Sequence, residues 1–327
     1  MIKINLKLIV CLFLVLIFYL VPYTGSIHWT RVLIEVFIWT TVSIGFRLIL
    51  TAGQLSLAQV SFMGLGAYTI AIMTTKIHLN YWISFPLAGI FASIFALIIG
   101  FLSLRARGIH FAIATFAISE VIRLTWIEWK NLFGGVGGIP SIPSPNPLLG
   151  LEFGSAPSFY YFSLLLVIFT IIVMHRLETS KFGMILLTLE RSENLSQSVG
   201  INTFKYKLIA FIIGSFFSGL AGGVFATFYH YIGPEDFSIH QTFYVLIYVL
   251  TGGVNTIYGT ITGVFVLIIA LKLIHHLPAF NPVWESLFLG CTLLIIMKFL
   301  PGGLISILQK FSLDSVLLDW RKRRAIT

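Results

Sequence analysis

The chain has 327 residues, of which 57% are hydrophobic and only 10% charged, with a net charge of +9. A soluble globular domain is about 25% charged, so this chain has too few polar groups to cover a soluble surface. That excludes a soluble enzyme, a disordered chain and a nucleic-acid-binding domain, and long apolar runs such as Leu8 to Val21 and Trp82 to Leu104 indicate an all-α, polytopic helical membrane protein.

In chain order, the hydropathy pattern predicts about ten membrane segments: 6–22, 30–50, 55–76, 82–104, 109–129, 159–175, 206–230, 238–252, 257–277 and 283–300. The N-terminus begins like a signal peptide, with Lys3 and Lys7 before an apolar stretch. No A-x-A-type cleavage site follows, so a retained first span is expected. Segment 55–76 is entered through Gly53-Gln54 and is crowded with Ser, Gln and Gly, while 238–252 is short for a ~30 Å hydrocarbon core. Short or Gly-broken segments often line a transporter's pathway. Between the fifth and sixth segments, residues 130–158 carry Gly134, Gly135, Gly137, Gly138 and five prolines, and read as an irregular exterior loop.

The few charges fix the orientation. Sixteen of the 21 Lys and Arg fall at Lys3/Lys7, Arg47, Arg105/Arg107, Arg176 to Lys207 and Lys298 to Arg324. Ten segments with the N-terminus inside put Arg105/Arg107, a loop at 176–205 and the tail 309–327 in the cytoplasm, as the positive-inside bias requires. Both termini are then expected to be cytoplasmic, and residues 1–327 to form a single membrane domain. The tail holds an amphipathic stretch, FSLDSVLLDW, suited to a membrane surface.

Three places could carry function. Gln54, Ser56, Gln59 and Ser61 offer neutral hydrogen-bonding groups at membrane depth, suited to a polar translocation path together with Tyr68. The same segment has small residues at Ser61, Gly64, Gly66, Ala67 and Ala71, which also suits plain helix packing. Glu120 and Arg123, three apart on one helical face, form a candidate intramembrane ion pair, structural or gating. Thr188 to Val199 can form a short amphipathic helix, with Leu189, Leu195 and Val199 on or near one face and Gly200 ending it. Two cysteines in apolar runs and scattered histidines give no disulfide framework and no metal cluster. GGVGGIP lacks the Gly-Lys-Ser/Thr of a phosphate loop. No catalytic residues and no cofactor site are expected.

The ordered series GQLSLAQVSFMGLGAY, LRARGIHFAIATFAISEVIRL, GGVGGIP, SKFGMILLTLERSENLSQSVGINTFKYKLIAFIIGSFFSGLAGGVFA, GGVNTIYGTITG and MKFLPGGL resembles the M-type permease of the leucine/isoleucine/valine ABC importers, over residues 40–305. The resemblance implies half of a translocation path for branched-chain amino acids in a bacterial inner membrane. The partners it implies are a homologous second permease, two cytoplasmic ATPase subunits, and a periplasmic or lipid-anchored substrate-binding protein. It places an ATPase-coupling helix at about 188–200, with Glu190, Arg191, Ser192, Glu193, Gly200 and Lys207 in the coupling loop. The chain reads Leu195-Ser196 where the family's loop has alanines. A path for urea or another small neutral solute fits the same polar groups. A stand-alone secondary transporter would need its own coupling-ion site, and buried carboxylates are scarce. A membrane-embedded enzyme would need an acidic or histidine cluster at the membrane face, and none is evident.

Overall fold

The computed structural model describes residues 26–147, 153–275, 283–299 and 302–306. The first expected span, 6–22, and the tail 309–327 lie outside these residues. The chain is helical. Six of the described helices are long and apolar enough to cross a membrane: α1 (Ile27–Thr51), α3 (Tyr81–Ser103), α4 (Ile109–Glu128), α6 (Ala156–Glu178), α9 (Thr203–Tyr229) and α11 (Ile257–His275, its apolar window ending at Ile274). Three shorter apolar helices accompany them: α2 (Gln59–Thr75), α10 (Ile239–Gly252) and α12 (Val283–Phe299). The remaining pieces are α5 (Lys130–Phe133), α7 (Lys181–Arg191) and α8 (Glu193–Ser198). The chain is a multi-pass membrane protein.

Helix α1 is predominantly apolar despite Arg31, Glu35 and Arg47, and 94% of its apolar window is buried, in keeping with the lack of a broad polar face. Ser26 caps it by accepting a hydrogen bond from the Trp29 N–H. Around α1, small residues set the packing distance. A Cβ at Gly45 would lie 2.6 Å from the Gly214 carbonyl oxygen, one at Gly66 would lie 2.0 Å from that of Gly219, and one at Gly222 would lie 1.8 Å from that of Met63. Helices α1, α2 and α9 therefore meet backbone to backbone. Lipid offers no hydrophobic drive for helices to associate, so such close van der Waals contact is what holds them.

Outside this core, α3, α4 and α6 turn apolar side chains outward, among them Leu102, Ile109, Val121 and Leu165. A face of this kind suits hydrocarbon or another membrane helix.

The described part of the 130–158 loop is more ordered than its sequence suggests. Ile139–Pro140 pairs antiparallel with Tyr231–Ile232, just after α9. Gly138 makes this possible: it sits at φ +64°, and a Cβ there would strike the Ile232 carbonyl oxygen at 2.0 Å. A two-residue strand has no periodicity for sequence reading to detect. Helix α10, at 14 residues, spans about 21 Å. It ends at Gly252, where Gly253 (φ +109°) turns the chain and Gly303 packs against the turn.

Candidate functional site

Two ends of the bundle are distinct. One carries Arg47, Glu178, α7 and α8; the other carries Glu35, Asp236 and Lys272. Between them runs a polar seam.

The seam begins where α1 stops. Residues 52–58 are not helical, and Gly53 takes φ +73° to reverse the chain. Gln54, Ser56, Gln59, Ser61 and Tyr68 are then all buried. Gln59 Nε2 donates to the Gly214 carbonyl at 3.2 Å and to Ser218 Oγ at 2.5 Å, both on α9. Ser61 and Ser119 share a hydrogen bond of 2.6 Å, joining α2 to α4. The Leu57 N–H donates to Thr115 Oγ1 at 3.0 Å, and Ser56 Oγ accepts from the Ala58 N–H at 3.3 Å. Three polar atoms of the seam, Gln54 Oε1, Gln59 Oε1 and the Tyr68 hydroxyl, are buried with no hydrogen-bond partner among the described residues. Such orphans cost free energy and call for a physical account.

At its Glu35 end the seam is closed by aromatic rings. Tyr68 stacks on Trp126 with centroids 4.6 Å apart, and Phe133 and Phe237 pack on its other sides. On α4 nearby, Arg123 Nε donates to Glu120 Oε2 at 3.0 Å, and Arg123 Nη1 donates to Glu235 Oε1 at 2.7 Å. Arg123 thus ties α4 to the turn after α9. Because Glu120 and Arg123 pair, the variants Glu120→Gln and Arg123→Gln should couple. We expect a double-mutant cycle on thermal stability to give an interaction of at least about 0.5 kcal/mol; additive effects would show the contact to be inert. Asp236, in the same turn, accepts from the Gly233 N–H at 2.8 Å. Burial raises its carboxyl above the ordinary value, and that hydrogen bond opposes the shift.

At the opposite end, the segment expected as one helix over Thr188–Val199 is two. Ser192 adopts extended backbone (φ −161°, ψ 107°), and its hydroxyl accepts from the Leu195 N–H at 3.3 Å, capping a new helix. Helix α7 therefore stops at Arg191 and α8 starts at Glu193. The break also separates the apolar residues: Leu189 is buried, while Leu195 and Val199 are 67% and 69% exposed. Glu190 and Arg191 are exposed, and Gly200 turns the chain at φ +84°. Lys207 and Glu193 differ from the other residues assigned to the coupling loop. Lys207 is only 5% exposed, and its Nζ lies 2.7 Å from Glu193 Oε2, so the two fasten α8 to α9 from within.

The two short helices rest on the start of the seam. A Cβ at Gly53 would lie 3.5 Å from both the Glu190 Cα and the Leu189 carbonyl oxygen. Arg47 adds a second link: buried to 3% exposure, it pairs with Glu178 and donates from Nε to the Val254 carbonyl at 2.6 Å. The residues on either side of Arg47 in space thus come from the end of α6 and from the glycine turn after α10.

With this geometry in view, comparison with known proteins decides the family. The model of the branched-chain amino acid transport system permease component matches residues 29–297. The chain belongs to this family. It is 30% identical over 292 residues to the high-affinity branched-chain amino acid transport system permease protein LivM of Escherichia coli, covering 82% of this chain and 68% of that one. The identity to LivM of Salmonella typhimurium is the same over the same span. No solved structure matches. As a family member the chain is a membrane transport component, and such permeases work with a partner permease, ATPase subunits and a substrate-binding subunit. Among the described residues, no group of three or more His, Cys, Asp or Glu is placed to hold a metal ion.

Two ionic contacts of this permease escaped sequence reading. Arg47–Glu178 joins helices far apart in the chain, and Lys272 Nζ meets Glu35 Oε2 at 2.9 Å. The available signal was Lys272 itself, an ionisable residue inside the apolar run IYGTITGVFVLIIALKLIH.

Proposed function

We propose that this chain is one of two permease subunits of an ATP-driven importer for branched-chain amino acids. In this reading it works in a bacterial inner membrane with ten segments and both termini cytoplasmic. The second, homologous permease completes the path, two cytoplasmic ATPases dock on α7 and α8, and a periplasmic or lipid-anchored binding protein delivers the solute. The observation that carries this is the seating of Leu189 and Glu190 against Gly53. Force applied to the short helices has a direct route to the turn from which the polar seam starts.

The exposed side chains Met184, Leu187, Leu195 and Val199, with Glu190, Arg191 and Ser192 at the break, form the surface offered to the ATPases. Gly200 sets the return of the chain. Glu193 and Lys207 act indirectly, by holding α8 rigid. ATP-driven closure of the ATPases moves this unit, and the two permeases rock as bodies to expose the path to each side in turn. Gln54, Ser56, Gln59, Ser61 and Tyr68 line or shape that path. The orphaned oxygens of Gln54, Gln59 and Tyr68 support this, because a passing solute or water would satisfy them. Glu120 and Arg123 brace α4 beside the path.

The test is uptake by the assembled importer with Glu190→Ala and Arg191→Ala combined. We expect ATP-dependent leucine uptake to fall at least tenfold while membrane insertion and assembly persist. Unchanged uptake would place the coupling surface elsewhere.

A further inference from the structure

The Glu35 end of the bundle holds a cavity of about 370 Å³, within the roughly 300–1,000 Å³ of ligand pockets. Its polar groups include Glu35, Lys272, Tyr229, Asp236 and Gln241. Trp39, Ile268 and Leu271 supply an apolar wall. A second cavity of about 440 Å³ adjoins it, and Glu35, Tyr229 and Lys272 line both. The Glu35–Lys272 pair is therefore a partition between two spaces. Glu35 is 23% exposed and Lys272 is 34% exposed, so a small molecule can reach both.

We propose that this cavity binds the amino acid itself, with Glu35 taking the α-ammonium, Lys272 the α-carboxylate, and the apolar wall the branched side chain. The inference deepens the proposed function and rests on it. Charge balance is the argument. A charge at membrane depth must be paired, and here each of the two pairs with the other. A zwitterion can enter between them and give each a new opposite partner, leaving neither member of the pair unmatched, while Asp236 on the same cavity keeps its hydrogen bond from the Gly233 N–H. A free amine would strand Lys272, a free carboxylic acid would strand Glu35, and urea would offer neither charge. Tyr229 and Gln241 stand in the same cavity as further hydrogen-bonding groups.

The position suits loading of the path. Phe225 lines the cavity and packs on Phe237 at 5.7 Å, and Phe237 in turn packs on Tyr68 at the end of the seam. These rings link the cavity to the end of the seam, which suits an antechamber that the aromatic cluster closes.

The experiment has two arms, both on the full chain with its partner permease. In nanodiscs without binding protein, radiolabelled leucine is competed with leucine, leucinamide, 4-methylpentanoate and urea. Leucine should compete at least tenfold better than the other three. The variant Glu35→Gln combined with Lys272→Gln strands no charge and so should fold; it should bind leucine at least tenfold more weakly. Equal competition by leucinamide, or unchanged binding by the double variant, overturns the site. In the second arm, the wild-type assembly with ATPases and binding protein is assayed for leucine uptake. Uptake with failure of the binding arm sinks the site alone. No leucine uptake sinks the functional reading and the site with it.

Discussion

Gly66→Ala should cost the chain about 3 kcal/mol of stability, the upper part of the range for overpacking a well-filled interior. The new Cβ would lie 2.0 Å from the Gly219 carbonyl oxygen and 2.5 Å from the Gly219 Cα. Both are backbone atoms, so no side chain can swing away, and α2 and α9 must separate. Separation also breaks the hydrogen bonds of Gln59 to Gly214 and Ser218. Thermal melting of the purified chain in detergent measures the effect. Gly137→Ala is the control: nothing lies within 4 Å of its added Cβ, and a change within about 0.5 kcal/mol is expected. Similar melting of the two variants would mean that backbone contact between α2 and α9 is not what holds the seam.

Arg47→Ala should be comparably severe, by a different mechanism. The side chain is buried, pairs with Glu178 and satisfies the Val254 carbonyl. Its loss leaves one carboxylate and one carbonyl without a partner, and breaking a buried pair costs about 3–5 kcal/mol. Glu178 is 23% exposed, which lets water recover part of that, so a loss of about 3 kcal/mol is expected. Arg47→Met combined with Glu178→Gln removes both charges and should recover much of the loss. Equal destabilisation by the single and double variants would assign the effect to shape rather than charge.

The helices were legible because hydrocarbon leaves a chain little choice: backbone groups must be satisfied within each segment, and apolar runs of the right length announce them. The described apolar helices α1–α4, α6 and α9–α12 fall where such runs lie, whereas the short α5, α7 and α8 do not. The close packing of α2 was also readable, from Gly64, Gly66 and Ala67. What periodicity does not contain is the partner. Gln59 with Ser218, Arg47 with Glu178 and Glu35 with Lys272 are contacts made by tertiary folding between distant helices. The break at Ser192 was missed for a local reason. The amphipathic pattern across 188–199 is continuous, but a serine hydroxyl that can cap a new helix stops the old one. Lys207 reads as one more basic residue of a cytoplasmic loop, and only burial reveals it as an internal fastener.

We propose that this chain carries branched-chain amino acids only when driven from outside itself. The most direct test is accumulation of radiolabelled leucine in proteoliposomes holding both permeases, the ATPases and the binding protein. We predict accumulation with ATP, none without ATP or without the ATPases, and none of urea under the same conditions. Leucine uptake without the ATPases, or urea uptake in place of leucine, would contradict the account.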